Sequence, residues 1–184
     1  TCTFNEEFMV LQTNAGHPTP VYIPSQNVTL DSINVGDSDS VSMQAHNAQL
    51  WFDDPAIGGY GGRDGGSTIA MMGGDDDGDG VCEADESEAT FEVDAGTETA
   101  NKLIIRHLDG SANDSFDVYV GGVLIDSYIG NQYPGQEVWV TTTFDLGANA
   151  FTGKETVTLD MTVYPWGSCS TYGQGAVNWA KIIN

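Results

Sequence analysis

Apolar and polar positions alternate with a period of two through most of the second half of this 184-residue chain, the pattern of half-buried β-strands. Phe116, Val118 and Val120 alternate with polar or aromatic neighbours, Gly121-Gly122 turns the chain, and Val123–Tyr128 returns, which predicts a hairpin. Val138, Val140, Thr142 and Phe144 share one face of a further strand. Val157, Leu159, Met161 and Val163 share a face of another, with Thr156, Thr158, Asp160 and Thr162 turned to water. Lys102–Leu108 is apolar on both parities in its middle, as a central strand requires. Phe91 and Val93 mark a strand before it, Ala176–Ile183 a closing strand, and Ser40–Phe52 an earlier one. No run of a dozen residues holds apolar positions at helical spacing. The pattern predicts an all-β antiparallel β-sandwich of the jelly-roll kind.

Two segments depart from that texture. In residues 1–40 short apolar patches (Phe4, Phe8–Leu11, Val21–Ile23, Val28–Leu30) are separated by Pro18, Pro20 and Pro24. Proline withholds a donor from the ladder, so this segment predicts an extended N-terminal arm or added edge strands. Residues 41–184 form the sandwich domain, with a loop insertion at 53–88 that carries ten glycines between positions 58 and 80. A Gly/Asp-rich loop of this length is functional or disordered rather than neutral.

The insertion contains the most specific motif in the chain. Asp75-Asp76-Asp77-Gly78-Asp79-Gly80-Val81-Cys82-Glu83-Ala84-Asp85-Glu86 matches D-x-D-x-D-G-x5-E at every required position. Calcium takes six to eight oxygens, and alternate residues of a tight loop point inward together. Asp75, Asp77 and Asp79 are the expected carboxylate ligands, the Val81 carbonyl a further one, Glu83 acts through water, and Glu86 closes the shell with two oxygens. The twelve residues resemble an EF-hand loop, but the flanks Ile69–Gly74 and Ser87–Val93 lack the amphipathic helices of that family. Calcium is therefore expected to lock a connection rather than to switch one. Asp53, Asp54 and Asp64 could form a second calcium site, against the alternative that they are turn-forming aspartates.

Charge narrows the partners. The formal net charge is −22, from 27 acids against five Lys and Arg, which excludes nucleic acid and anionic lipid as partners. Eleven acids and no Lys or Arg lie between Asp75 and Glu98, as metal ligation requires, while a saline habitat would account for the rest. No window is apolar for the ~18 residues of a membrane helix. The start lacks a basic stretch followed by an apolar one, so Thr1 reads as a mature terminus and the chain as extracellular. Cys2, Cys82 and Cys169 have no C-x-x-C spacing. Cys82 with Cys169 is the expected disulfide, three unpaired buried thiols being the alternative. Asn27 (N-V-T) and Asn113 (N-D-S) are glycosylation sequons.

From Phe91 onward the chain is similar to the galactose-binding-like jelly rolls, a fold shared by many carbohydrate-binding modules. The likeness lies in Leu103–Leu108, S-F-D-V-Y-V-G-G at Ser115–Gly122, W-V-T-T-T-F-D at Trp139–Asp145, T-G-K-E-T-V-T-L at Thr152–Leu159 and Y-G-Q-G-A-V-N-W at Tyr172–Trp179. It implies a structural calcium and, for sugar binding, an aromatic platform with polar groups beside it. Trp139, Trp166 and Tyr60 are the platform candidates, with Tyr119 and Tyr128 behind them. The parity of Trp139 opposes that of Val138 and Val140.

Catalytic motifs are missing. The chain has no G-x-S-x-G, no H-E-x-x-H and no phosphate-binding loop, and His107, on the central strand, reads as a structural histidine. Two non-enzymatic functions follow. The first is a secreted, calcium-stabilised subunit that assembles with copies of itself into a filament or surface layer, its N-terminal arm adding to a neighbour's sheet. The second is a calcium-dependent module that binds polysaccharide.

Overall fold

The computed structural model describes residues 8–12, 18–22, 27–34, 40–48, 51–52, 70–72, 88–109, 114–130, 132, 138–160 and 175–184. In chain order the elements are β1 (Phe8–Gln12), β2 (Pro18–Tyr22), β3 (Thr29–Asn34), α1 (Ser40–Ala45), β4 (Trp51–Phe52), β5 (Ala70–Met72), β6 (Glu88–Asp94), β7 (Lys102–Asp109), β8 (Phe116–Val120), β9 (Val123–Tyr128), β10 (Val138–Asp145), β11 (Lys154–Asp160) and β12 (Gly175–Ile183).

Two antiparallel sheets carry the domain. The larger runs β10-β7-β12-β5-β4, with β3 also paired to β12, and the smaller runs β6-β11-β8-β9. The pairs nest: β8 with β9, then β7 with β10, β6 with β11, and finally β12 with β3 and β5. Successive pairs fall alternately into the smaller and the larger sheet. That alternation is a single two-stranded ribbon folded over itself, which is a jelly roll. β1 and β2 pair with each other as a separate two-stranded sheet.

Period-two burial decides what lies between the sheets. Phe91, Val93, Phe116, Val118, Val157 and Leu159 from the smaller sheet meet Leu103, Ile105, Phe144, Ala180 and Ile182 from the larger, all buried in one cluster. Ile33 joins them from β3. The β8–β9 turn is the Gly121-Gly122 hairpin anticipated above, with φ of +57° and +75° at its two residues. Both angles lie in the left-handed region that glycine occupies without steric cost. A side chain at Gly121 would also strike Glu155 Oε2, 2.8 Å from an ideal Cβ.

Ser40–Phe52 does not form the single strand its composition suggested. Ser40–Ala45 is a short helix, and among the described residues of the segment Trp51–Phe52 alone is extended. Local hydrogen bonds and burial explain the difference. Ser42 Oγ accepts from the Asn34 backbone N–H at 3.1 Å, the His46 N–H returns to the Ser42 carbonyl, and Met43 packs on the core. Ser, Met, Gln and Ala sit in a helical turn at little cost. The strand predicted through Val157–Val163 begins earlier, at Lys154, and is described to Asp160.

Ile105 is fully buried at the centre of the larger sheet, whereas Thr143 is exposed on the adjacent strand. Ile105→Ala is expected to cost about 3 kcal/mol in chemical denaturation, and Thr143→Ala no more than about 0.5 kcal/mol. Equal effects would show that the two side chains have been assigned to the wrong faces.

Candidate functional site

The outward faces of the two sheets differ in chemistry. On the larger sheet, β10 turns Val140, Thr142 and Phe144 inward and Trp139, Thr141, Thr143 and Asp145 outward. β7 turns Leu103, Ile105 and His107 inward, leaving Lys102, Ile104 and Arg106 outward and part-exposed. β12 would place Trp179 with Val177 on the core side if its alternation were unbroken. A bulge between Val177 and Trp179 sets Val177 opposite His107 and Trp179 opposite Arg106. The extra residue, Asn178, absorbs the shift, and Trp179 turns outward with Lys181. Re-aiming one side chain in this way is a known use of a bulge.

The register brings these residues together. Thr141 (β10), Arg106 (β7), Trp179 (β12) and Asn34 (β3) lie in one cross-strand row. Trp139 lies two residues along β10 and two strands from Trp179, a separation of about 12 Å from strand spacing and rise. Arg106 Nη1 donates to the Trp139 carbonyl at 3.0 Å and reaches Thr141 Oγ1 at 3.4 Å, so the guanidinium braces the face between the rings. Lys181 Nζ stands 5.5 Å from the Trp179 ring centroid, within cation–π range. Both tryptophans are half-buried.

The smaller sheet presents acids outward. Glu88, Asp160 and Asp117 lie side by side across β6, β11 and β8, the first two part-exposed and Asp117 buried beneath its neighbours. Burial and the neighbouring Asp160 charge push the Glu88 carboxyl up. The Tyr119 phenol is likewise raised, by lost hydration and by Asp117, Asp160 and Glu88. Tyr119 therefore stands in a negative field rather than on a neutral platform. Tyr128 is buried, donating to Asp109 Oδ2 at 2.8 Å. Its partner in register is the core residue Phe116, which turns it inward and removes it as a sugar platform.

His107 is the structural histidine that its strand position suggested. Nδ1–H donates to the Leu108 carbonyl at 3.0 Å and Nε2 accepts from the Thr142 hydroxyl at 2.8 Å. Phe116 and Tyr128 meet its ring edge-on. Burial drives its pKa down to about 4. Close by, fully buried Asp109 also accepts from the Gln132 backbone N–H at 3.2 Å. Among the described residues every buried side-chain N and O has a partner, and no group of three His, Cys, Asp or Glu could hold a metal.

Several sequence-predicted positions lie outside the described residues: the Asp75–Glu86 loop, Asp53, Asp54, Asp64, Tyr60, Trp166, Cys2, Cys82, Cys169 and Asn113. The strands that bracket the loop are described. β5 ends at Met72 in the larger sheet, and β6 starts at Glu88 in the smaller. Asn27 is exposed immediately before β3. Of the aromatic candidates among the described residues, Trp139 alone falls on the outward face of the larger sheet, where Trp179, Arg106 and Lys181 join it unforeseen. The run Val177-Asn178-Trp179 held no period-two signal of its exposure, because the bulge reverses the parity there.

No family model matches the chain, and no curated protein matches it. Similar solved structures include the catalytic unit of a thermostable GH87 alpha-1,3-glucanase from Streptomyces thermodiastaticus strain HF3-3, at TM-score 0.45 and 16% identity. That match covers 86% of this chain, which spans only 27% of the glucanase unit. A CBM35 from Cellvibrio japonicus Abf62 is similar at TM-score 0.45 and 11% identity, over 86% of this chain and 94% of that one. The CBM36-1 domain of a multidomain xylanase from the hindgut metagenome of Trinervitermes trinervoides follows at TM-score 0.41 and 12% identity, over 82% and 95%. The jelly-roll assignment rests on the strand pairing itself.

Acid should act on the fold through His107. The unfolded chain takes up a proton near the ordinary pH 6.5, but the folded chain takes it up only near 4. Stability should therefore fall as the pH drops through that window and level off below it, by about 3 kcal/mol from this residue. Urea titrations at pH 7 and pH 4 on wild type and His107→Gln should show that extra loss in wild type alone. A His107 ring resonance, assigned by its loss in His107→Gln, titrating near 6.5 in the folded protein would contradict it.

Proposed function

We propose that this chain is a non-catalytic, extracellular carbohydrate-binding module that engages polysaccharide on the outward face of its larger sheet. The observation that carries this reading is the pair Trp139 and Trp179, held on neighbouring parts of one rigid face with Thr141, Arg106 and Lys181 between and beside them. Sugar rings present apolar C–H faces and a polar rim, so they favour an aromatic surface edged with hydrogen-bonding groups. A spacing of about 12 Å exceeds one sugar ring, which selects an oligomer over a monosaccharide.

Calcium belongs to this proposal as a structural cofactor of the Asp75–Glu86 loop. Its support is the ligand spacing, together with the bracketing strands, which belong to different sheets. A cation held there would neutralise clustered carboxylates and tie the crossover between the two sheets. The assembling-subunit reading has less behind it. β1 and β2, the strands available for exchange, already pair with each other over Phe8–Gln12 and Pro18–Tyr22.

Two experiments test the proposal. Trp139→Ala and Trp179→Ala should each weaken polysaccharide binding about tenfold, measured by affinity electrophoresis, while the far-ultraviolet spectrum stays that of a folded sheet protein. Full binding by both variants would remove the face from consideration. Separately, Asp77→Ala or Glu86→Gln should lower the thermal midpoint by several degrees in calcium, and excess chelator should bring wild type to the same value. An identical midpoint with calcium and with chelator would show that the loop holds no ion.

A further inference from the structure

His46 follows α1 directly and joins an edge strand of one sheet to an edge strand of the other. Its ring is part-buried, with both nitrogens aimed at oxygen. Nδ1 lies 2.5 Å from the Ser42 carbonyl and Nε2 3.2 Å from Asp31 Oδ1 on β3. The other carboxylate oxygen of Asp31 accepts from the Asp94 N–H of β6 at 2.7 Å. The His46 carbonyl accepts from the Glu92 N–H, also at 2.7 Å. Glu92 and Asp94 lie two apart on β6, so these are successive donors on its edge away from β11. Met43 and Ala48, on either side of His46, pack against the core. A clamp thus runs from β3 through Asp31 and His46 to β6. It fastens the point where the chain leaves for β4 and the insertion at 53–88 to the strand on which it returns.

Proton counting decides what holds the clamp. A carbonyl oxygen only accepts, so Nδ1 carries a hydrogen. An ionised carboxylate also only accepts, so Nε2 must carry one too. A neutral ring has a single N–H and would set a lone pair against Asp31 Oδ1. The arrangement is that of an imidazolium, placed where the last carbonyls of α1 and the Asp31 carboxylate both favour a cation.

We propose that the Asp31–His46 clamp is a pH-sensitive latch at the root of the insertion, fastened while the ring holds both protons and slack once it gives one up. Charged groups on the neighbouring elements point elsewhere. Among the described residues α1 supplies no titratable side chain. Glu92 and Asp94 take the parity opposite to buried Phe91 and Val93. Glu92 lies 3.8 Å from Lys154, and Asp94 Oδ1 accepts from the Gly96 N–H. On β12, Lys181 pairs with Ser32, on the face opposite to that of Asp31 and its partner Ile182. Histidine rings ordinarily change charge between about pH 5 and 8. Rising pH through that range removes the Nε2 hydrogen, so the latch holds at the acid end and loosens at the alkaline end. Its direction is opposite to the effect of His107 on the whole fold.

Amide hydrogen exchange of the full chain at pH 6 and pH 8, each amide corrected for its intrinsic chemical rate, tests the latch. Protection of the Glu92 and Asp94 amides should fall about fivefold between the two, while that of Ile105, in the doubly paired β7, does not fall. His46→Gln and Asp31→Asn should each give the lower protection at both pH values. Should a substitution weaken the whole fold, Ile105 reports it, and the wild-type contrast between edge and centre still decides. Equal protection of Glu92 and Asp94 at both pH values in wild type would overturn the latch, as would an undiminished pH response in His46→Gln. A parallel fall at Ile105 in wild type would overturn it too, by showing that the opening is global.

Discussion

Backbone pairing of β7 on both its edges governs everything else in this domain. Hydrogen bonded to β10 on one side and β12 on the other, it sets the register of the larger sheet. A slip of one residue would exchange the core for the surface. Leu103, Ile105 and His107 would then face water, and Lys102, Ile104 and Arg106 would face Phe91 and Phe116. Burying two unpaired cations costs far more than any gain elsewhere, so the register has no near competitor. The same pairing sets Arg106 between Trp139 and Trp179. Core and candidate binding surface are thus two faces of one constraint.

Most of the architecture was legible in the chain because period-two alternation survives wherever a strand has one wet face. β8, β9, β10 and β11 could be placed from Phe116, Val138 and Val157 and their neighbours, and the β8–β9 turn from its two glycines. β7 could be identified as central from its apolar middle. The short helix was missed because its six residues span less than two turns, too few for a 3.6-residue period to show. The outward face was only half legible. Trp139 could be assigned by parity, but Trp179 could not, since its exposure depends on one inserted residue whose partner lies on a strand seventy positions earlier. Nor does composition show that three rare cations converge. Lys102, Arg106 and Lys181 meet only when β7 and β12 pair.

Electrostatics and packing divide the labour between the sheets. The larger sheet buries its inner face and keeps aromatic and cationic groups outside, on β7 and β12, each paired on both sides, and on the edge strand β10. The smaller sheet places acids outside, where Glu88, Asp117 and Asp160 crowd one another across adjacent strands. Like charges directly opposite cost stability, and the Glu88 carboxyl is raised first by burial and then by the Asp160 charge opposite it. Ser127 Oγ relieves part of that cost by donating to Asp117 Oδ1 at 2.6 Å. Within the core, neutral His107 supplies the hydrogen bonds that Thr142 and the Leu108 carbonyl require without bringing a charge between the sheets.

The nested pairing also shapes how the chain reaches its folded state. β3 and β12 lie about 150 positions apart, a separation that by itself would mark the domain as a slow folder. The ribbon changes the arithmetic of closure. Once β8 and β9 zip across Gly121-Gly122, β7 and β10 are joined by the hairpin and two connections rather than by a free coil. β6 and β11 then find the same advantage one layer further out. Each step closes a loop already shortened by the step before, so the entropy lost to chain closure accumulates in small increments. The longest-range contact forms last, when its ends are nearly in place, and the glycine pair at the centre of the ribbon becomes the point from which the rest is wound.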